Sequence, residues 1–184
     1  MKMKNQRFFL RFGALVLLMV SSCHGGKNGT KEAANQADKA LKTKYAALLA
    51  VSEKEVTNLK LYRFIDEWYA VPYKYGGKAK TGVDCSGFTT ILLRDVFGIE
   101  LVGSANSMYE DCENISEKNL QEGDLVFFKI NSKKVSHVGV YLQNRRFVHA
   151  STKRGIVINN LDENYYKKYF FKGGRPKSTS SQSK

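Results

Sequence analysis

A thiol that attacks a carbonyl and an imidazole that takes its proton make a metal-free acyl-transfer pair, and this chain holds few of either. There are three cysteines, Cys23, Cys85 and Cys112, and three histidines, His24, His137 and His149. Cys85 lies in Asp84-Cys85-Ser86-Gly87, where a polar, glycine-containing loop over 78–84 gives way to helical spacing. Phe88, Ile91, Leu92 and Val96 form one apolar stripe, and Gly98 is placed to end the helix. A helix N-terminus offers unpaired N–H groups and about half a positive charge. Both favour thiolate over a thiol whose free pKa is about 8.5, and the same N–H groups can hold the oxyanion formed on attack. Gly87 leaves room for another backbone to approach. The plain alternative for Cys85 is a small apolar side chain packed beneath its helix.

Beyond the N-terminal segment, the base has two candidates. His137 lies in an expected strand over 135–142, where Val138, Val140 and Leu142 share one face and His137, Gly139 and Tyr141 the other. His149 lies in a second strand over 146–150, alternating with Val148 and Ala150. A three-residue loop, Leu142 to Asn144, with Asn144 left-handed would set His137 directly opposite His149, with Cβ atoms about 5 Å apart. One imidazole would then orient the other; a two-residue loop would spoil this register. Gly139 would let another element lie flat on the histidine face, the Cys85 helix being the candidate. A single histidine is usually structural, but two opposed ones beside an activated thiol point to catalysis.

The elements that must hold these residues can be read in outline. Asn58 is placed to cap a helix carrying Leu59, Tyr62, Ile65 and Tyr69 at helical spacing, and Pro72 follows its end. Tyr73-Lys74-Tyr75-Gly76-Gly77 reads as a turn, and Ser104 to Glu110 as a short helix. Gln121-Glu122-Gly123-Asp124 turns the chain into a strand from Leu125 to Ile130, with further strands at Gly155 to Ile158 and Tyr169 to Phe171. Helices first and strands afterwards predict an α+β domain over 57–176, its N-terminal helices packed on a central antiparallel sheet and its nucleophile at a helix N-terminus. Residues 23–56 read as a tether with a partly helical segment, and the serine-rich stretch 177–184 as a disordered tail.

Lys2, Lys4, Arg7 and Arg11 precede an apolar run, Phe12 to Val20. That run is shorter than the about 20 residues that span a bilayer. Ser21 and Ser22 then lead to Cys23. This is the layout of an export signal over 1–22, and a cysteine after small residues resembles the lipidation site of a bacterial lipoprotein. Cys23 is therefore the expected lipidated residue. His24, rather than aspartate, follows it, which suits outer-membrane sorting in a two-membrane host. The protein is expected to be exported, anchored to a membrane through its N-terminal lipid, and facing the periplasm. The formal net charge is +13, of which the signal carries four positives and no negatives, so +9 remains without it. That excess suits an anionic partner such as wall polymer or lipid head groups; a solvated basic surface accounts for it equally well. An exported chain rarely meets nucleic acid, so no nucleic-acid partner is expected. A monomer is expected.

Five blocks carry a family resemblance: Pro72-Tyr73-Lys74-Tyr75-Gly76-Gly77, Asp84-Cys85-Ser86-Gly87-Phe88, Gly123-Asp124-Leu125-Val126-Phe127-Phe128, His137-Val138-Gly139-Val140-Tyr141 and Phe147-Val148-His149-Ala150-Ser151. In this order, over residues 58–176, they resemble the NlpC family of papain-like cell-wall cysteine peptidases, and within it the compact, lipid-anchored murein endopeptidases. The resemblance implies a papain-like NlpC fold and hydrolysis of amide bonds in peptidoglycan stem or cross-link peptides, with no cofactor and no metal. It implies that Cys85 attacks, that His137 takes the thiol proton and returns it to the leaving amine, and that His149 orients His137. It also implies that Tyr73 helps the Cys85 N–H to stabilise the oxyanion. Asp84 and Ser86 flank the nucleophile and are expected substrate contacts. Three other readings stay open. Cys85 and Cys112 could form a disulfide in a non-catalytic wall-binding lipoprotein. Cys85, Cys112, His137 and His149 could hold zinc. The same Cys–His pair could serve an acyl transferase, because fold and nucleophile do not fix the acceptor.

Overall fold

The structure, a computed structural model, describes residues 27–177. The expected export signal, Cys23 and residues 178–184 of the tail lie outside the described residues. Helix α1 (Lys27–Leu49) is continuous where the sequence suggests a partly helical tether. Most of it is exposed, and only its last turns, with Tyr45, Ala46 and Leu49, enter the core. A helix buried at one end needs no apolar stripe along its length, which explains its weak amphipathic pattern. Tyr45 packs on Tyr62 with ring centroids 4.5 Å apart and donates to Asp66 at 2.6 Å. The packed unit therefore begins ahead of residue 57. No helix among the described residues is long and apolar enough to cross a membrane.

Helix α2 (Leu59–Trp68) starts where Asn58 accepts from the Leu61 N–H at 3.1 Å, as its sequence predicts. Trp68, rather than the exposed Tyr69, completes its buried face. Two short strands, β1 (Lys78–Ala79) and β2 (Gly82–Val83), form a hairpin inside the stretch expected to be loop. Helix α3 (Cys85–Leu92) follows at once, and a wider turn over Leu93–Phe97 is closed by left-handed Gly98. Ser104 caps α4 (Ala105–Asp111).

The remaining elements are β3 (Cys112–Ile115), β4 (Leu125–Phe128), β5 (His137–Tyr141), β6 (Arg146–Ser151), β7 (Gly155–Asn160), α5 (Asn164–Tyr169) and β8 (Phe170–Pro176). They build an antiparallel six-stranded sheet in the order β3-β8-β4-β5-β6-β7, so the fold is α+β as expected. One face carries Val138, Val140, Val148 and Ala150 and packs in a single core with Phe88 and Leu92 of α3. The other carries Val126, Phe128 and Phe147, covered by Leu161 and by Tyr166 of α5. Each large apolar side chain buried in this way contributes about 1.5–3 kcal/mol.

The β5–β6 hairpin differs from its expected form. Asn144 and Arg145 both have positive φ, 45° and 63°, and Arg146 N–H donates to the Gln143 carbonyl at 2.9 Å. This is a two-residue turn with the twist that suits a hairpin. Alone it would have put the histidines on opposite faces. Leu142 N–H also donates to the Arg146 carbonyl at 2.9 Å, so Leu142 and Gln143 together oppose Arg146. That bulge restores the parity. The resulting pairs are Val140 with Val148 and Tyr141 with Phe147. Continuing this register sets His149 opposite Gly139, not His137. The two histidines are diagonal neighbours on one face.

Candidate active site

Asp84 fixes where α3 begins. Its Oδ1 accepts from the Gly87 N–H at 2.7 Å and the Ser86 hydroxyl at 3.0 Å, and its Oδ2 accepts from the Gly76 N–H at 2.8 Å. One carboxylate thus ties the helix start to the turn after Tyr73. Gly87 permits the closeness that its sequence position suggests, since a Cβ there would lie 2.4 Å from the Gly77 carbonyl oxygen. Main-chain bonds from Lys74 to Val83 (3.1 Å) and from Val83 to Pro72 (3.0 Å) hold the Tyr73 segment beside β2.

The N–H groups of Val138, of Ser86 and of Cys85 itself favour the thiolate form of Cys85. Val138 adjoins His137 in β5, and Cys85 and His137 line the same cavity. Burial is the dominant influence and raises the thiol pKa, and the Asp84 charge adds to it; the N–H groups oppose both without prevailing. The thiolate preference expected from the helix terminus is therefore outweighed in the resting site. Cys112 is the other free, buried thiol among the described residues. Burial, with Asp111 and Asp124 nearby, pushes it up to about 12. It lies in edge strand β3, separated from β5 by β8 and β4, and does not share the Cys85 cavity.

His137 Nε2 and His149 Nδ1 are 2.8 Å apart, with the rings at 89° to each other. His149 Nε2 lies 3.1 Å from Asn159 Oδ1 and 3.1 Å from the Tyr166 hydroxyl. Gly139 is needed for this pairing rather than for α3: a Cβ there would meet Phe147 at 2.7 Å and His149 Cβ at 3.2 Å. Helix α3 instead packs on the valine face. His137 and His149 are 9% and 2% exposed. Burial holds both imidazoles well below their ordinary pKa, His149 at about 4, so both rest neutral.

Tyr73, Cys85, His137 and His149 all line one cavity of about 530 Å³, together with residues 151–154 of the β6–β7 turn. Burial, and next to it Cys85, raises the Tyr73 phenol pKa. Asp84 and Ser86, the expected substrate contacts, do not line this cavity, because their polar atoms are committed to the helix start. The environment of His149 adds residues that sequence reasoning did not single out: Asn159, Tyr166, Arg154 and Glu163. The only signal for Asn159 is its place two residues beyond Val157 on the histidine face of β7, and the expected strand stops short of it. The arrangement brings a neutral thiol and a neutral imidazole to one cavity, as base-assisted attack on a carbonyl requires.

The chain is similar to known proteins in family and fold. The profile describing the NlpC/P60 family matches residues 70–175. The murein DD-endopeptidase MepS/murein LD-carboxypeptidase of Escherichia coli K12 is 36% identical over 173 residues, covering 90% of this chain and 90% of its own. The probable endopeptidase NlpC of the same organism is 39% identical over 112 residues, covering 60% of this chain and 73% of its own. A crystal structure of an NlpC/P60 family protein from Bacillus cereus shares the fold, with TM-score 0.58 at 24% identity over 65% of this chain and 40% of that one.

Proposed function

The chain belongs to the NlpC/P60 family, and from that membership we propose that it is a peptidoglycan endopeptidase, a cysteine peptidase that hydrolyses amide bonds in stem or cross-link peptides of the cell wall. The observation that carries this reading is the meeting of Cys85 with the His137–His149 pair at one cavity.

Cys85 is the nucleophile and His137 the base. Nε2 of His137 is engaged by His149, which leaves Nδ1 to take the thiol proton. Because burial raises the thiol and lowers the imidazole, the proton moves as sulfur attacks rather than beforehand. The S–C bond forms while the carbonyl π pair moves onto oxygen, where the N–H groups of the α3 start and the Tyr73 hydroxyl stabilise it. Collapse breaks the C–N bond, and the amine leaves with the proton held by His137. Water then adds to the thioester, gives a proton to His137, and releases the carboxylic acid as the sulfur regains its proton. His149 orients His137 throughout. Residues 1–22 export the chain, and lipid on Cys23 holds it at a membrane beside the wall, the outer membrane facing the periplasm in a two-membrane host. The basic surface favours the anionic polymer, and the enzyme works as a monomer.

Digestion of purified peptidoglycan by the exported form, with products identified by mass spectrometry, tests this reading. New amine and carboxyl ends within the peptides are expected from the wild type and not from an equally stable Cys85→Ser variant. Equal release by both proteins, or by neither, would end it.

A further inference from the structure

We infer that Asn159, held in one orientation by Arg154 and Glu163, is a positioning residue that dictates which nitrogen of His137 serves as the base. The inference rests on the reading of Cys85 and His137 given above and deepens it.

The two ends of an Asn amide have the same shape but opposite hydrogen-bonding character. Both carboxylate oxygens of Glu163 lie 2.8 Å from Asn159 Nδ2. A carboxylate only accepts, so the NH₂ end must face it. The Arg154 guanidinium lies 2.9 Å from Asn159 Oδ1. A guanidinium only donates, so the carbonyl end must face it. Two charged neighbours of opposite sign thus give the same answer. Glu163 is itself anchored by the Asn160 N–H at 2.8 Å. Asn159 is 6% exposed and cannot turn to solvent.

Asn159 Oδ1 then faces His149 Nε2 at 3.1 Å and requires a proton on that nitrogen. A neutral imidazole carries one N–H, so His149 Nδ1 is a bare acceptor. It lies 2.8 Å from His137 Nε2, which must therefore carry the His137 proton. His137 Nδ1 is left with an open lone pair. The Tyr166 hydroxyl fits the same polarity: it accepts from His149 Nε2 at 3.1 Å and donates to Asn159 Oδ1 at 3.4 Å. The hydrogen bond at one ring nitrogen sets the protonation of the other, and here that rule runs through two rings in series from two remote side chains of opposite charge, each bonded to Asn159.

The test uses the full exported form carrying ¹⁵N-labelled histidine. In the wild type, NMR is expected to show both rings as Nε2–H tautomers. Asn159→Leu, which keeps the bulk and removes both polar ends, should give mixed tautomers at His137. Its kcat should fall roughly 10- to 100-fold with KM little changed. Asn159→Asp combined with Glu163→Gln keeps an acceptor facing His149 and an opposite donor–acceptor pair behind it, so it should restore the wild-type tautomers and most of kcat. Wild-type kcat and tautomers in a folded Asn159→Leu protein would overturn the inference. If that variant does not fold, an Nδ1–H tautomer of His137 in the wild type would overturn it instead. Cys85→Ala separates the two claims: turnover surviving in it would remove the peptidase reading while leaving the tautomer measurement standing.

Discussion

Burial sets the resting charge of each reactive side chain, holding Cys85 as thiol and both His137 and His149 as neutral rings. A preformed thiolate–imidazolium pair would alkylate at a rate flat across the acid-to-neutral range. A neutral pair instead reacts faster as pH rises past the ordinary thiol pKa of about 8.5. Iodoacetamide labelling of Cys85 should follow the second course, with Cys85→Ser reporting any contribution from Cys112; a plateau near pH 6 would contradict it. The same shifts bear on stability. Unfolded histidine titrates near about 6.5, whereas His149 in the fold titrates at about 4. Between those values the unfolded chain binds more protons, so stability rises with pH and is lost as pH falls through the window. Melting temperature should drop on that path, and His149→Gln, which has no proton to gain, should show a shallower drop; equal slopes would refute burial as the cause. His149→Ala should retain some hydrolysis, since His137 remains as base, whereas His137→Ala should lose about 100-fold or more. Reversed losses would exchange the two roles.

Helix α3 is seated by contact between its first turn and the chain at Gly76 and Gly77. A Cβ at Gly87 would press on the Gly77 carbonyl, a main-chain atom that cannot swing aside. Gly87→Ala should therefore cost about 1–3 kcal/mol of overpacking and lower turnover by shifting Cys85 against β5. Gly98→Ala, where a Cβ meets nothing within 4 Å but φ is +69°, should cost about 1–2 kcal/mol of backbone strain while leaving turnover unchanged. Thermal melts and peptidoglycan digestion read both. The helix boundaries at Asn58 and Gly98 are legible in sequence because capping is decided within a few residues. That His137 and His149 share a face is legible because strand alternation has period two. Their partner residues are not, because a turn at Asn144 and Arg145 together with one extra residue opposite Arg146 moves the pairing by two residues from the expected register, which preserves the face. Cys112-Glu113-Asn114-Ile115 shows no alternation and becomes a strand only through its pairing with β8. Asn159 is unremarkable in type, and it acquires meaning only when β7 pairs with β6 and brings it beside His149.

At the scale of the molecule, α1 belongs to the folded unit. Tyr45 and Leu49 are fully buried, and at about 1.5–3 kcal/mol each they supply a large part of a typical margin of about 5–15 kcal/mol. A chain begun at residue 51 should melt well below one begun at residue 38, although both keep every residue that lines the cavity. Equal melting temperatures would make α1 a detachable stalk. A second long-range link joins the segment before Tyr73 to the segment after Arg154. Gly155, at φ +69°, sits where a Cβ would fall 2.2 Å from the Val71 carbonyl oxygen. Ala70 N–H donates to Ile156 at 2.9 Å, and Ile156 N–H donates to Val71 at 3.0 Å. Two banks of the crevice are therefore stitched to a common foundation and cannot drift apart independently. The breadth of the crevice is thereby tied to the scaffold beneath it, leaving side chains such as Tyr73 at its lining.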